Sequence, residues 1–170
     1  VECATPEFHG DPSMEAWAEA WVGSDGPVVG INAFAGGRWP SKELRAEELR
    51  ELVQALLDGR TSLGPHCQVV LIGAGADRNR NLALAKEFKN DRLRVTDTDD
   101  SPLRLAAVVR QLDHMISSDS LAMHLAIAQS VPTVAFFAPT SAVEIDGFGR
   151  VEKLISTAPD YCSYRRDADN

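Results

Sequence analysis

Short runs of almost wholly apolar residues alternate with helix-forming segments along this chain, and this alternation constrains the fold more than any other feature. The runs lie at 28–33, 68–73, 93–96, 114–117 and 133–137, and their length and bounding turns are typical of buried strands. Strands that are apolar on both faces and separated by helices indicate a parallel sheet covered on both sides. With right-handed crossovers, the predicted fold class is α/β, a doubly wound, Rossmann-like parallel sheet.

The helical segments are marked by their spacing and by their start and stop residues. Residues 1–27 are predicted to form a lead-in, or linker, with one helix that starts at Asp11 and places Trp17 and Trp21 on one face. Residues 28–170 are then expected to be a single Rossmann-like domain. Its helices are predicted at 49–57, 77–88, 103–112 and 120–129, and a turn-rich stretch precedes the last segment, 152–156.

Composition excludes several classes of protein. The 170 residues are 44% hydrophobic, which suits one folded domain, and no apolar run approaches the roughly 20 residues that span a bilayer. A net charge of -8 argues against a general binder of nucleic acid or anionic membranes. The cysteines Cys3, Cys67 and Cys162 lack zinc-site spacing and are predicted to be reduced thiols. No secretory signal precedes them, and because the chain does not start with Met, a fragment or processed product is expected.

Loops that follow the strands are the expected place for a ligand, because open parallel sheets bind ligands at the carboxyl ends of their strands. The loop after the first strand holds adjacent glycines and the cations Arg38 and Lys42. Glycines allow close approach of the backbone to a ligand, and a lysine ammonium is a point charge for phosphate. The alternative is that Lys42 is an ordinary surface residue in a turn.

The loops after the second and third strands contain carboxylates. Gly73-Ala74-Gly75 resembles a nucleotide-binding glycine loop without its third glycine, and Asp77 could either cap the following helix or accept hydrogen bonds from ribose. Asp97, Asp99 and Asp100 raise the hypothesis of a metal site, but a solvated turn before a helix start explains them more simply. No metal and no cofactor is therefore predicted.

The segment 117–124 is the most informative, since it joins a buried strand directly to an Ala-rich helix. The free N–H groups at that helix start would bind an anion, with the Ser120 hydroxyl beside them. Asp119 has the wrong sign for a diphosphate unless it caps the helix, orients the loop or meets a sugar hydroxyl. His124 could point back to the same ligand or be a core histidine, and Thr140 could close the pocket or lie in a simple turn.

Three segments together resemble the C-terminal half of a heptosyltransferase-type glycosyltransferase, in glycosyltransferase family 9 with the GT-B architecture. They are 30–42, 70–77, and 118–126 continuing through 131–140, and the resemblance covers 28–162. It implies two Rossmann-like domains facing a cleft, of which this chain would be the half that binds the nucleotide-sugar donor. The other half, which binds the acceptor and carries the candidate catalytic base, is expected to be missing.

The resemblance also implies a donor site and leaves the catalytic base to the missing half. Lys42 would contact the donor phosphates and Asp77 the ribose, while the N–H groups of Ser120 and Leu121 would hold the diphosphate. The residues implied to bind or frame the donor are Lys42, Asp77, Asp119, Ser120, Leu121, His124, Arg38 and Thr140.

The chain departs from the family pattern at several of these loops. Ala33-Phe34 stands where the family usually has Pro-Gly, and Leu121 and Ala138 stand where it usually has Gly. Asp77 replaces the usual Glu and is shorter by one methylene.

The implied reaction is transfer of a sugar, expected to be heptose, from a donor such as ADP-heptose to a lipopolysaccharide-type acceptor. No nucleic acid or membrane span is expected, and the location would be cytoplasmic, with peripheral contact at the inner membrane face as an option. The isolated half is expected to bind nucleotide weakly and to transfer no sugar. The main alternative is a non-catalytic nucleotide-binding module. A receiver-type signalling domain is disfavoured, because Asn32-Ala33-Phe34 stands where its acidic pair would be.

Overall fold

The computed structural model describes residues 6–23, 25–36, 39–98 and 101–157. Single 3₁₀ turns at Pro40–Lys42 and Ala142–Glu144 interrupt the loops. The helices are α1 Pro12–Val22, α2 Ala46–Leu57, α3 Gly75–Phe88, α4 Pro102–Arg110 and α5 Leu121–Ala128; the strands are β1 Val28–Asn32, β2 Gln68–Leu71, β3 Leu93–Val95, β4 His114–Ser118, β5 Thr133–Phe137 and β6 Val151–Ile155.

The strands form one parallel sheet in the order β3-β2-β1-β4-β5-β6. Ile31 of β1 lies beside Leu71 of β2 on one side and Ile116 of β4 on the other. The strand order reverses between β1 and β4, so the loops after these two strands diverge and leave a crevice. This arrangement confirms the predicted doubly wound, Rossmann-like α/β fold.

Helices pack on both faces of the sheet, as the apolar strands require. Helices α2 and α3 cover one face, where Leu49 and Val53 pack against Val69 and Leu71. Helices α1, α4 and α5 cover the other face. The lead-in helix predicted after Asp11 is present, with Asp11 accepting hydrogen bonds from the backbone at its start, and its buried residue Val22 joins the core of the second face.

Helix α3 begins earlier than the sequence predicts, and this changes the role of one residue. The N-cap is Ala74 and the first helical residue is Gly75, so Asp77 lies inside the first turn and does not cap the helix. The alternative that Asp77 caps the helix is therefore wrong, and its carboxylate instead accepts a hydrogen bond from the loop after β1. The 3₁₀ turn at Pro40–Lys42 was not predicted, although a proline at its first position is a usual start.

One part of the sheet is left open by the described residues. A groove of about 590 Å³ lies between α2 and the amino-terminal ends of β4, β5 and β6, and its walls are largely apolar. Leu154 on the edge strand β6 is 52% exposed. Within the described ranges, no helix combines the length and the apolar character needed to cross a bilayer.

Candidate functional site

A cavity of about 420 Å³ opens at the carboxyl ends of β1, β2 and β4, where the strand order reverses. The larger groove described above lies at the opposite ends of the strands, and its walls are largely apolar, with Arg150 and Glu152 as its charged lining residues. Five of the residues expected to bind a donor line the cavity at the sheet reversal: Lys42, Asp77, Asp119, Ser120 and Leu121. His124 and Thr140 stand beside Asp119, and Arg38 lies outside the described residues.

Lys42 is held at the cavity wall by an ion pair that crosses from one loop to another. The 3₁₀ turn brings its side chain across the crevice, and Nζ donates a hydrogen bond to Asp119 Oδ2 at 2.8 Å. The two side chains are only 13% and 16% exposed. The ammonium is therefore fixed in place beside the start of α5, and it is not an ordinary surface lysine.

Asp119 remains ionised because its neighbours outweigh the effect of burial. Burial is the largest single influence and would raise the pKa of Asp119, but the hydrogen bond from Lys42, the Thr140 hydroxyl and the charges of Lys42 and His124 together hold this pKa below that of an ordinary aspartate. The Asp119 carboxylate does not cap α5, since Ser120 is the N-cap residue. Its observed partner is Lys42, so it orients the lysine.

The start of helix α5 is organised by a set of hydroxyl and amide groups. Asn32, at the end of β1, donates from Nδ2 to Ser120 Oγ at 2.8 Å, and the Ser117 and Ser120 hydroxyl oxygens are 3.1 Å apart. The Ser120 side chain does not cap the helix, so the first N–H groups of α5 keep their capacity to meet a ligand. Asn32 is 8% exposed, and it was missed because a polar residue ending a buried strand was not treated as a site signal.

The remaining framing residues have distinct environments. The His124 side chain is 53% exposed, with Nε2 at 4.0 Å from Asp119 Oδ1. The alternative of a core histidine is therefore wrong, since α5 turns this position outward. The Thr140 hydroxyl oxygen is buried beside Asp119.

Asp77 faces the cavity but is already engaged with the loop after β1. Its Oδ2 accepts a hydrogen bond from the Gly36 N–H at 2.8 Å, and Arg80 Nη1 lies 3.5 Å from its Oδ1. The residue is 7% exposed. One carboxylate oxygen therefore braces the glycine loop, and the other carries only a long contact with Arg80.

A second, narrower space adjoins the cavity on its apolar side. About 130 Å³ in volume, it lies between the starts of α4 and α5, with Pro102, Leu105 and Leu121 among its walls. Leu105 and Leu121 also line the main cavity, so the two spaces share a wall. Leu121 is 55% exposed and lies on the rim between them, and it does not fill the space.

No metal centre is formed by the part of the chain that the structure describes, in which no group of three or more His, Cys, Asp or Glu residues is suitably placed. Asp97 pairs with Arg78 at 3.0 Å. Asp99 and Asp100, which completed the acidic cluster of the metal hypothesis, lie outside the described residues. Cys67 is a free, buried thiol; Cys3 and Cys162 also fall outside the description.

The Lys42–Asp119 pair predicts a defined pH dependence of stability. Because the pKa of Asp119 is lowered by folding, the pair stabilises the protein fully above the pKa of an unfolded aspartate, and this contribution is lost as pH falls through the lowered value. We expect Asp119→Asn to reduce the free energy of unfolding by about 1–3 kcal/mol at pH 7, with the difference from the parent protein shrinking progressively as the pH falls below about 4.

Urea unfolding at a series of pH values tests this expectation. The matched control is Asp97→Asn, which removes an exposed partner of Arg78 and should change stability by less than about 1 kcal/mol. A difference between Asp119→Asn and the parent protein that persists unchanged at pH 3 would contradict the assignment.

Several solved structures superpose on this chain. The chain superposes on an Escherichia coli ADP-heptose lps heptosyltransferase II with a TM-score of 0.70 at 18% sequence identity, covering 88% of this chain and 45% of that one. A glycosyl transferase family 9 protein from Veillonella parvula DSM 2008 gives a TM-score of 0.74 at 19% identity, covering 91% and 44%. The E. coli heptosyltransferase WaaC with ADP-2-deoxy-2-fluoro heptose gives 0.62 at 19% identity, covering 95% and 46%.

These superpositions establish the fold and show how much of each similar protein the chain spans. The chain spans less than half the length of each of these three proteins. No curated protein sequence matches it. A family model described as glycosyltransferase family 9 (heptosyltransferase) matches residues 4–170. Since that match covers nearly the whole sequence, the chain belongs to glycosyltransferase family 9.

Proposed function

We propose that this chain is the donor-binding half of a glycosyltransferase that moves a sugar, heptose in the first instance, from a nucleoside-diphosphate sugar to an acceptor hydroxyl of lipopolysaccharide type. The observation that carries the proposal is the placement of the Lys42 ammonium beside the uncapped start of α5 in one cavity at the sheet reversal. A cation and a set of free backbone N–H groups are the two elements that bind a pyrophosphate.

The phosphates would lie between Lys42 and the first turn of α5. The Ser120 hydroxyl accepts a hydrogen bond from Asn32 and lies 3.1 Å from Ser117 Oγ, whose own proton goes to the Ser118 carbonyl. A phosphate oxygen would therefore take the Ser120 proton in place of Ser117. Asp119 would not repel the anion strongly, because its charge is balanced by Lys42 at 2.8 Å. His124 and Thr140, next to Asp119, complete this side of the site, and Arg38 is proposed to add a further cation from the loop after β1.

The nucleoside would extend toward the apolar side of the cavity. The space between Leu105 and Leu121 offers flat apolar contact for a base, and the main cavity, at about 420 Å³, lies within the usual range for a small-molecule site. Asp77 lines the wall between these regions, with Oδ1 the oxygen available to a ribose hydroxyl. Adenine is the base to test first, because similar proteins are solved with ADP and with an ADP-heptose analogue.

In the reaction, the bond between the sugar C1 and the diphosphate oxygen breaks, and the electron pair leaves with the diphosphate. The acceptor oxygen forms the new bond to C1 and loses its proton to a base, which we place in the half of the enzyme that this sequence does not contain. Lys42 and the α5 amides would stabilise the charge that grows on the diphosphate. One preorganised donor of this kind is worth about 3–4 kcal/mol in other enzymes.

The proposal is tested by calorimetric titration of the chain with ADP, ADP-heptose and UDP. We expect weak but saturable binding, strongest for the intact ADP-sugar, because the sugar adds contacts near Asp119, and weakest for UDP. No sugar transfer is expected from this chain alone.

Each other outcome has a clear meaning. Equal affinity for ADP and the ADP-sugar would favour a non-catalytic nucleotide-binding module. If none of the three nucleotides binds, the proposed donor site is overturned. Detectable sugar transfer by this chain alone would overturn the assignment of the catalytic base to the other half of the enzyme.

A further inference from the structure

The loop between β1 and α2 is closed onto itself by its own backbone and one carboxylate. The Leu44 N–H donates to the Ala33 carbonyl at 3.0 Å, and the Ala35 N–H donates to Glu43 Oε1 at 3.3 Å. Glu43 directly follows Lys42 in the chain. The position of the Lys42 backbone therefore depends on where the Glu43 carboxylate is held.

Arg80 of α3 is the group that holds this loop against the rest of the domain. Its guanidinium lies 3.6 Å from the centroid of the Phe34 ring, and Nη1 donates to Glu43 Oε2 at 2.8 Å. The same Nη1 is 3.5 Å from Asp77 Oδ1, and Asp77 Oδ2 binds the Gly36 N–H. One planar cation thus contacts the Phe34 ring and both carboxylates that bind loop amides.

The charges make this arrangement more than a surface ion pair. The Glu43 and Asp77 side chains are each only 10% exposed and face the same guanidinium. Without Arg80, two largely buried carboxylates would lie close together beside a cavity proposed to take an anion. Each negative charge would destabilise the ionised form of the other carboxylate and would weaken the binding of the anionic ligand. The flat guanidinium can stack on a ring and bind carboxylates at its edge at the same time, which a lysine cannot do.

We infer that Arg80 is a positioning residue, which fixes the described parts of this loop, residues 34–36 and 39–43, through Phe34, Glu43 and Asp77 and thereby sets the place of Lys42 at the cavity. The expected effect of Arg80 on ligand binding rests on the proposed function. Its effect on the position of the loop rests only on the contacts described above.

Arg80→Gln tests the inference, with Arg50→Gln as the matched control. Arg50 of α2 also joins two helices, since it pairs with Glu87 of α3 at 3.0 Å. Its side chain is 45% exposed, against 46% for Arg80. Hydrogen exchange followed by NMR is expected to show the Ala35 and Gly36 amides exchanging about 10-fold faster in Arg80→Gln and unchanged in Arg50→Gln. The ADP affinity should fall about 5- to 10-fold in the first variant only, as for the loss of a charged contact.

Arg80→Lys should recover part of the ADP affinity, because it restores the charge balance. It should recover little of the amide protection, because it does not restore the stacking on Phe34.

The outcomes separate this inference from the proposed function. Unchanged exchange of both amides in Arg80→Gln overturns the positioning role, whether or not nucleotide binds. If the parent protein binds no nucleotide but exchange still accelerates, the proposed function fails and the loop assignment stands. Should Arg80→Gln not fold, Glu43→Gln gives the same test, since its amide oxygen can still accept from Ala35 while the charged contact to Arg80 is lost. Exchange at Ala35 that remains slow in Glu43→Gln would then overturn the inference.

Discussion

Replacing Lys42 by methionine is expected to weaken binding of ADP by about 10- to 100-fold, since a hydrogen bond with a charged group contributes about 1.5–3 kcal/mol. Methionine keeps an unbranched apolar stem and removes only the ammonium. The side chain is 13% exposed and lines the cavity, so the lost contact is not replaced by another cation among the described lining residues. NMR titration measures the change, because it remains quantitative when binding is weak.

Two further variants separate the causes of this loss. Lys86→Met, on the exposed face of the last turn of α3, removes the same charge from the protein and should leave the ADP affinity unchanged. Lys42→Met combined with Asp119→Asn removes the uncompensated carboxylate, and we expect it to recover only part of the affinity. Full recovery of the affinity in the double variant would mean that the loss came from Asp119 repelling the ligand. An ADP affinity of Lys42→Met within threefold of that of the parent protein would show that Lys42 does not bind ADP.

The largest effect on stability is expected for Ile31→Ala in the central strand β1. Ile31 is completely buried, beside β2 and β4 and within the cluster shared with α2 and α3. Truncation of such a side chain costs about 2–5 kcal/mol, because the lost burial adds to the cost of the cavity left behind. In a chain of this size the melting temperature should fall by about 2–4 °C for each kcal/mol.

The control is Val143→Ala in the second 3₁₀ turn, where the side chain is 87% exposed. This change should alter the free energy of unfolding by no more than about 0.5 kcal/mol. Urea unfolding of both variants measures the two changes in the free energy of unfolding. A cost below about 1 kcal/mol for Ile31→Ala would mean that β1 is not the centre of the core.

The fold was predictable because hydrophobic periodicity is a local property of the chain. Runs such as 28–33 are too short for helices and lack a polar face, so they were predicted to be strands covered on both sides, and β1 is buried along its whole length. The places of the candidate site residues were predictable for a related reason. All strands of a parallel sheet end at one edge, and the loops that follow them converge there whatever their sequences.

The contacts between those residues were not predictable in the same way. Lys42 was associated with a phosphate, and its pairing with Asp119 was not foreseen, since the two residues are 77 positions apart and meet only because β1 and β4 are neighbours. The role of Arg80 was not predictable either, because an arginine on an exposed helix face carries no distinguishing sequence signal.

Periodicity and strand-end chemistry were thus enough to establish the α/β class, the crevice and the loops that border it. The pairing of charges in the crevice was decided only by the packed chain. Asp77 could have been a helix cap or a ribose ligand; the cap is excluded because α3 begins at Gly75, and the bond from the Gly36 amide to its carboxylate was not foreseen. The physical reason is that a side chain bonds to whichever partner the sheet register and helix packing bring within about 3 Å, and neither is encoded in the spacing of one segment.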